Sequence, residues 1–297
     1  MGKAGRTIFY SSFLIETHAA NHYNRSMKEN IDVNVACIGC GVMGGALMRA
    51  VAKVVEPKKI TVSARTFDEA LAFSKEIGCN AVVSNTEAVK GAKFVFVAVK
   101  PAFVDEVLRD IDSALSDDAV VVSMAAGVKL AAIADSLGRA RTIVRIMPNM
   151  PAAVGEAMIA LSADDGANAD DVATAQSLLA AAGKVERVDE KLMDCVTAVS
   201  GSGPAFAFMF IEAMADAAVR LGMPREQAYV YAAQTLKGSA EMALRTGKHP
   251  GALKDAVCSP AGTTIEGVAA LERSGFRDSV IEAVAAAYAR SVELGKR

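Results

Sequence analysis

The sequence predicts an α/β fold in which a doubly wound, largely parallel sheet precedes an all-α C-terminal domain. Short apolar segments alternate with helical segments between residues 33 and 188, a pattern typical of a sheet covered by helices on both faces. After about residue 189 the strand-like segments stop and only helical segments follow. We therefore divide the chain into an extension at residues 1–30, an α/β domain at residues 31–189 and a helical domain at residues 190–297.

The α/β prediction depends on strand-like segments that are apolar on both faces, as strands of a buried parallel sheet are. They lie at residues 33–38, 60–63, 94–99, 119–124, 142–147, 157–161 and 184–188. Helical segments lie between them at residues 67–77, 102–115, 130–137 and 170–182. The later helical segments are residues 191–199, 204–221, 225–246, 252–257 and a pair within 264–297.

Composition limits the class of protein. The chain has 297 residues, a net charge of −2 and 52% apolar residues, so a full core can form and bulk charge indicates neither a nucleic-acid nor a membrane partner. No apolar run approaches the roughly 20 residues that span a bilayer. Five cysteines without a regular framework indicate a reducing compartment, and we expect a cytoplasmic protein. Residues 1–30 lack clean periodicity. We expect a disordered extension or one that results from an upstream start, with Met27 as an alternative first residue.

A glycine turn follows the first strand-like segment, with Gly39, Gly41 and Gly44 in the pattern G-x-G-x-x-G. The first glycine allows a tight turn, the second lets backbone approach a pyrophosphate and the third lets helix and strand pack closely. The helix that follows offers N–H groups and a positive dipole end to phosphates. A purely structural strand-turn-helix unit is the alternative. We predict a Rossmann-like dinucleotide-binding domain whose turn contacts are Ile38, Gly39, Cys40, Gly41, Val42, Met43 and Gly44.

Cysteine and histidine content argues against two other chemistries. Cys37 and Cys40 form a C-x-x-C, but no second pair stands at zinc spacing and Cys37 falls in a buried strand, so we predict no metal site. Only three histidines are present, so a histidine base is poorly supported.

Arg65 ends the second strand-like segment, about 20 residues after Gly44, where an acidic residue usually holds the adenine ribose 2′-hydroxyl. A guanidinium there can bind a 2′-phosphate through two hydrogen bonds. We therefore expect NADPH as cofactor, with NADH as a weaker possibility. A solvated arginine near a helix start is the alternative.

Other strand ends supply further cofactor candidates. Small residues at these ends let backbone reach ribose and nicotinamide. Lys100 could touch ribose or phosphate or be simply solvated, and Asn85 could contact the adenine side or cap a short helix. The candidates in this group are Asn85, Ala98, Val99, Lys100, Pro101, Ala125 and Ala126.

The helical domain suggests a homodimer, because segments such as residues 206–219 are apolar nearly all round and would leave adhesive surface on a lone domain. Within it, residues 200–205 read Ser-Gly-Ser-Gly-Pro-Ala, which predicts either a helix cap with Pro204 in the first turn or a substrate contact.

The segment at residues 259–264 reads Ser-Pro-Ala-Gly-Thr-Thr and leads into a helix. The first N–H groups of that helix would suit a carboxylate, and the Thr264 hydroxyl can donate and accept a hydrogen bond. Thr264 can therefore orient a small polar ring beside a nicotinamide. A local cap made by a Thr hydroxyl is the alternative.

Residues 38–44, 98–101, 125–127, 200–205 and 259–264 together resemble the pyrroline-5-carboxylate reductase family, over residues 31–297. The last two strings, in this order and far apart, are the specific ones. The resemblance implies a Rossmann domain followed by a helical dimerisation domain. It also implies NADPH-dependent reduction of 1-pyrroline-5-carboxylate to L-proline by a homodimer or a larger assembly of dimers.

The resemblance further implies roles for single residues. Gly39, Gly41 and Gly44 match the pyrophosphate turn, Arg65 the 2′-phosphate position, Asn85 the adenosine contact, and Lys100 and Ala126 the ribose and nicotinamide positions. On the substrate side it implies Ser259, Gly262, Thr263 and Thr264, with Thr264 as the catalytic residue that meets the ring nitrogen. Two positions depart from the family pattern: Ala261 replaces a usual glycine, and Ala256 replaces an Asn that contacts cofactor in some members.

Two other classes stay open at this stage. A β-hydroxyacid dehydrogenase of similar build would need a lysine on the long helix of the second domain, where residues 204–219 contain none and Lys237 lies one helix later. A dinucleotide-binding regulatory dimer without catalysis has only the altered Ala261 in its favour.

Overall fold

The structure, a computed structural model, describes residues 30–295 and contains one eight-stranded sheet. All of the predicted extension except residue 30 lies outside the described residues. The strands are β1 (Val35–Ile38), β2 (Ile60–Ser63), β3 (Asn80–Ala81), β4 (Phe94–Val97), β5 (Val120–Ser123), β6 (Thr142–Met147), β7 (Ala157–Ala163) and β8 (Gly183–Arg187).

Helices cover the sheet and form the whole C-terminal part of the described chain. The helices of the sheet region are α1 (Val42–Val51), α2 (Phe67–Ile77), α3 (Asn85–Ala88), α4 (Val104–Ile111), α5 (Leu130–Ser136) and α6 (Ala169–Ala180). The later ones are α7 (Met193–Val196), α8 (Gly203–Arg220), α9 (Arg225–Thr246), α10 (Pro250–Val257), α11 (Thr263–Arg273) and α12 (Phe276–Leu294). Short 3-10 helices occur at Pro57–Lys59, Pro101–Phe103, Asp112–Ala114, Met150–Val154 and Glu190–Leu192.

The strand order β3-β2-β1-β4-β5-β6-β7-β8 reverses direction at β1, because the chain adds strands first on one side of β1 and then on the other. Ligands of such sheets bind outside the carboxyl ends of the strands at this reversal point. The predicted doubly wound α/β fold is confirmed. Phe96 and Val97 of β4 are fully buried on opposite faces, which explains why the central strands read as continuous apolar runs.

One strand departs from the parallel prediction, since β7 runs antiparallel to β6. The two strands are joined by residues 148–156, which hold only the 3-10 helix Met150–Val154. A parallel pair needs a crossover of a dozen or more residues, usually containing an α-helix, so this short connection imposes the antiparallel pairing. The next connection contains α6, and β8 again runs parallel to β7.

The sequence predicts separate helical segments at residues 191–199 and 204–221, but the residues between them do not form a loop. A π-helical turn at Thr197–Gly201 joins α7 to α8, so that residues 190–220 form one continuous helical stretch. By length and composition alone this stretch could span a bilayer. Few of its residues are buried within the chain.

The helical part exposes large apolar side chains on several helices. They include Met209 on α8, Tyr231 and Leu244 on α9 and Ile281 on α12, each more than half exposed. The contact of α8 with α9 is made by small residues, among them Ala215 and Ala228. An apolar surface of this extent is what a subunit interface requires.

The sheet and the helical part are joined by a buried ion pair. Arg145 of β6 has a side chain only 4% exposed, and its guanidinium lies 2.9 Å from the Glu190 carboxylate, just before α7. The same Glu190 oxygen accepts the backbone N–H of Leu130 at 2.6 Å, so it also caps the start of α5. A buried arginine without its carboxylate is costly, because its charge loses both water and partner.

We expect Glu190→Ala to lower the free energy of unfolding by about 3 kcal/mol, since it leaves the buried Arg145 charge unpaired. Asp117→Ala removes the carboxylate of an exposed pair with Arg139, and we expect a loss below about 1 kcal/mol. Urea unfolding of both variants measures the difference. Equal losses would show that the buried pair contributes no more than a surface pair.

Candidate active site

The carboxyl ends of β1, β2, β4 and β5 lie side by side at one end of the strands. In the strand register Ile38 lies beside Ser63 on one side and Val97 on the other, and Val97 lies beside Ser123. The segments that follow these residues therefore emerge together at the reversal point. This arrangement brings together the glycine turn, Arg65, the segment at residues 98–101 and the segment at residues 125–126.

The glycine turn leaves no room for side chains at two of its glycines. Gly39 has φ +96°, and a Cβ there would lie 2.6 Å from the Ala98 carbonyl oxygen. A Cβ on Gly44 would lie 2.1 Å from the Gly39 carbonyl oxygen and 2.7 Å from the Ala98 Cβ. The first and third glycines thus have the steric roles predicted from the sequence.

Gly41 is different, because a Cβ there would meet no atom within 4 Å. It is exposed and stands at the N-cap of α1, where no side chain caps the helix and the first turn holds no acidic residue. Val42 beside it is also exposed, whereas Ile38 is buried, and Cys40 and Met43 pack partly against the core. The start of α1 is therefore open to an anionic group such as a pyrophosphate.

The thiols near this turn are poorly suited to metal or redox chemistry. Burial raises the pKa of Cys37 and of Cys40 above their ordinary values, and it raises the pKa of Cys79 to about 11. All three therefore stay protonated at neutral pH, whereas the thiolate is the form that reacts and binds metal. Among residues 30–295, no three His, Cys, Asp or Glu side chains group as a metal site.

Asn85 lies beside the end of β2, where its side-chain oxygen accepts the Ser63 hydroxyl at 2.8 Å. It is half-buried in the first turn of α3. The capping alternative for Asn85 is wrong, because the N-cap is Ser84, whose hydroxyl accepts the Glu87 N–H at 3.1 Å. The spacing of Ser84 and Glu87, typical of a capping box, was the sequence signal for this.

Arg65 emerges from β2 and its side chain is 85% exposed. Its guanidinium donates to the carboxylate of Glu69, one turn later, at 2.8 Å. Thr66 between them caps α2 by accepting the Glu69 N–H at 3.4 Å. The corner beyond β2 thus carries one exposed cation that is already paired with a carboxylate.

The segment after β4 continues along the same edge. Ala98 packs against the glycine turn, Val99 packs into the core on the other face of the sheet, and Lys100 is exposed. Pro101, also exposed, opens the 3-10 helix Pro101–Phe103. The exposed side chains of this segment are those of Lys100 and Pro101.

The segment after β5 is held by the helical part of the chain. Ala125 is buried, and Ala126 packs with Met147 and Met193. Gly127 has φ +77°, and a Cβ there would lie 3.2 Å from the Gly295 backbone, just past α12. The last helix therefore presses on the loop that follows the proposed nicotinamide contacts.

The segment at residues 200–205 does not form the predicted side-chain cap. Pro204 does lie in the first turn of α8, but the N-cap Ser202 makes no side-chain cap hydrogen bond, because the preceding π-helical turn already satisfies local N–H groups. Asn149, which the sequence did not single out, links this turn to the sheet. Its side chain donates to the Ser200 carbonyl oxygen and accepts the Met158 N–H, each at 3.0 Å.

The tip before α11 is built around a strained residue. Ala261 has φ +55°, the only positive φ of a non-glycine residue within residues 30–295. A Cβ on Gly262 would lie 2.3 Å from the Ser259 hydroxyl, so a side chain at this position would require that hydroxyl to move. Gly262 is the N-cap and provides no side-chain cap, which leaves the first N–H groups of α11 open to a carboxylate.

Thr264 lies in the first turn of α11 and is half-buried, and Thr263 beside it is exposed. In the described part of the chain the Thr264 hydroxyl has no hydrogen-bond partner. Helix α11 packs mainly on α12. The single chain thus assembles the cofactor half of the predicted site at the sheet edge, and it presents the substrate half on a separate helix tip. Ala256 is exposed on α10, close before this tip.

Comparison with known proteins agrees with this division. The family model for pyrroline-5-carboxylate reductase dimerisation matches residues 190–294, and that for NADP oxidoreductase, coenzyme F420-dependent, matches residues 34–127. The pyrroline-5-carboxylate reductase of Escherichia coli K12 is 45% identical over 268 residues, which cover 90% of this chain and all of the relative.

Two solved structures are similar along nearly their whole length. The pyrroline carboxylate reductase of Plasmodium falciparum with NADP bound has a TM-score of 0.80 at 30% identity, covering 89% of this chain and 98% of that one. The pyrroline-5-carboxylate reductase of Coxiella burnetii has a TM-score of 0.82 at 34% identity, covering 88% and 98%. Fold and site together define a two-domain, NADP-dependent oxidoreductase. The chain belongs to the pyrroline-5-carboxylate reductase family.

The two glycines Gly41 and Gly44 allow steric and ligand effects to be separated. We expect Gly41→Ala to lower the affinity for NADPH about tenfold with little change in stability, because its Cβ enters only the space left to the ligand. We expect Gly44→Ala to lower the free energy of unfolding by about 2 kcal/mol as well, since its Cβ overlaps backbone. Fluorescence titration with NADPH and urea unfolding measure both quantities. Unchanged affinity in Gly41→Ala would contradict the assigned role.

We expect Ala261→Gly to raise the free energy of unfolding by about 0.5–1 kcal/mol, because the left-handed strain it relieves exceeds the entropy that glycine adds to the unfolded chain. Ala256→Gly, in the nearby helix α10, is the control and should lower stability by about 1 kcal/mol. Thermal unfolding of both variants gives the signs. A loss of stability in Ala261→Gly would mean that the left-handed conformation carries no strain.

Proposed function

We propose that this protein reduces 1-pyrroline-5-carboxylate to L-proline with NADPH, as an oxidoreductase that acts on a C=N bond. The observation that carries the proposal is the match to a reductase over that relative's entire length. The geometry agrees, because the chain offers a dinucleotide cleft and a separate, uncapped helix tip. We assign the cofactor to residues 31–189 and the substrate and dimer contacts to residues 190–297, with residues 1–30 as an extension.

The cofactor half of the site would hold NADPH, which when bound supplies hydride from its reduced nicotinamide. The free N–H groups at the start of α1 bind the pyrophosphate, because Gly39 and Gly44 hold that turn tightly against Ala98 while Gly41 stays accessible. Arg65 binds the 2′-phosphate and Asn85 the adenosine. The remaining contacts come from the segments after β4 and β5, at Ala98, Val99, Lys100, Pro101, Ala125 and Ala126.

The substrate half of the site binds a small cyclic imino acid. The backbone N–H groups of Gly262 and Thr263 bind its carboxylate, for which the Gly262 N–H must leave the Ser259 carbonyl oxygen, to which it donates at 3.1 Å. Until then this hydrogen bond from Gly262 to Ser259 stabilises the tip. The Thr264 hydroxyl accepts a hydrogen bond from the protonated ring nitrogen and orients the C=N bond. A protonated imine is already electrophilic, so placement replaces a strong general acid, in keeping with the scarcity of histidine.

A homodimer follows from the dimerisation family model and from the exposed apolar side chains of α8, α9 and α12. We propose that dimers can assemble further and that Thr264 reaches the nicotinamide within a chain or across a subunit contact. We also propose a cytoplasmic location without nucleic-acid or membrane partners, because the net charge is small and the cysteines within residues 30–295 are free. The apolar stretch at residues 190–220 then belongs to the subunit interface.

The test is an assay that follows nicotinamide absorbance with 1-pyrroline-5-carboxylate, in parallel with NADPH and NADH and with the six-membered piperideine carboxylate. We expect rapid oxidation of NADPH with the five-membered ring and formation of proline. Bound NADPH without turnover on either imine would favour a regulatory protein instead. Oxidation of a β-hydroxyacid with NADP⁺ would favour the hydroxyacid class, although α8 contains no lysine for that chemistry.

We expect Thr264→Ala to lower turnover by about one to three orders of magnitude, the loss of one hydrogen bond and of some substrate orientation. Thr264→Ser is the matched control, because it keeps the hydroxyl and should restore most of the activity. Steady-state kinetics with saturating NADPH gives both values. Wild-type kinetics in the alanine variant would remove Thr264 from the mechanism.

A further inference from the structure

We propose that Glu69 sets the choice between NADPH and NADH by competing with the 2′-phosphate for Arg65. The inference rests on the proposed function only in that the corner beyond β2 receives the adenine ribose. In the structure Arg65 is already part of an ion pair. Its guanidinium donates at 2.8 Å to the carboxylate of Glu69, which lies in the first turn of the helix α2 that follows.

Glu69 lies beside the dinucleotide cleft. Its backbone carbonyl oxygen lies 3.8 Å from the Cys40 thiol, which belongs to the glycine turn. Its side chain is about half exposed and faces the same solvent as Arg65. A dinucleotide in the cleft therefore meets Glu69 as well as Arg65.

The charges at this corner oppose the 2′-phosphate. Arg65 supplies one positive charge, whereas Asp68 and Glu69 supply two negative charges in the first turn of α2. The helix start adds little, because Thr66 already caps it through the Glu69 N–H. The other neighbours, Ser63 and Asn85, are neutral and bonded to each other.

The two cofactors respond to this arrangement in opposite ways. To bind the 2′-phosphate, the Arg65 guanidinium must give up its hydrogen bond to Glu69 or divide its N–H groups between the carboxylate and the phosphate. The phosphate then lies near a carboxylate whose charge is no longer fully compensated. NADH brings a 2′-hydroxyl instead, which an acidic side chain can accept as a hydrogen-bond donor. Glu69 therefore weakens NADPH binding and supports NADH binding, so the intact chain uses both cofactors with a reduced preference.

The experiment measures the dissociation constants of NADPH and NADH by fluorescence titration of the full chain, without substrate. In Glu69→Gln we expect the ratio of NADH to NADPH dissociation constants to rise about threefold or more, since a neutral amide competes less well than a carboxylate with the 2′-phosphate for Arg65. The matched control is Glu76→Gln. Glu76 lies on the same helix as Glu69, α2, and it also pairs with an arginine, Arg49 of α1. It lies two turns further on and should leave the ratio unchanged.

A double-mutant cycle tests the route of the effect. If Glu69 acts by holding Arg65, the change in the ratio caused by Glu69→Gln should largely disappear in an Arg65→Ala background. A ratio that changes less than about twofold in Glu69→Gln, or equally in Glu76→Gln, overturns the proposal. An undiminished effect in the Arg65→Ala background also overturns the competition. Because the titration needs no imine, failure of the reductase assay would not be confused with failure of this inference.

Discussion

The steric contact between the glycine turn and the end of β4 is the constraint on which the rest of the site depends. Gly44 packs directly on the Gly39 carbonyl, and both press on Ala98, with no space for a Cβ at either glycine. This contact places the start of α1 at the reversal point of the sheet, where β1 lies between β2 and β4. The other residues that we propose as cofactor contacts are positioned relative to it, because they follow the ends of neighbouring strands.

Two kinds of contact link this rigid half of the molecule to the helices. In the Arg145–Glu190 pair the arginine is buried, and one Glu190 oxygen accepts both its guanidinium and the Leu130 N–H, so the pair fixes where the helical part begins. Gly127 and Gly295 meet backbone to backbone, so the end of the last helix packs on the loop after β5. Both links therefore reach the short segment from Gly127 to Leu130.

The tip before α11, where we propose that substrate binds, carries more backbone strain than the glycine turn. Ala261 adopts a left-handed conformation that glycine would adopt without strain, and the neighbouring Gly262 is constrained by Ser259. Such strain persists only where surrounding structure holds it, and it commonly occurs at ligand sites. The departure from the family pattern that the sequence revealed is therefore accommodated in the fold and does not abolish the tip.

The sequence by itself determined the sheet-then-helices order, most element positions and the steric roles of Gly39 and Gly44, because apolar periodicity and glycine spacing are local properties of the chain. Tertiary structure alone decided the antiparallel β7, the π-helical turn at Thr197–Gly201, the Arg145–Glu190 link and the Ser63–Asn85 and Arg65–Glu69 partnerships. The Arg145–Glu190 and Ser63–Asn85 contacts join residues far apart in sequence. The Arg65–Glu69 pair is local, but its position beside the glycine turn depends on the fold, because Glu69 and Cys40 are far apart in sequence.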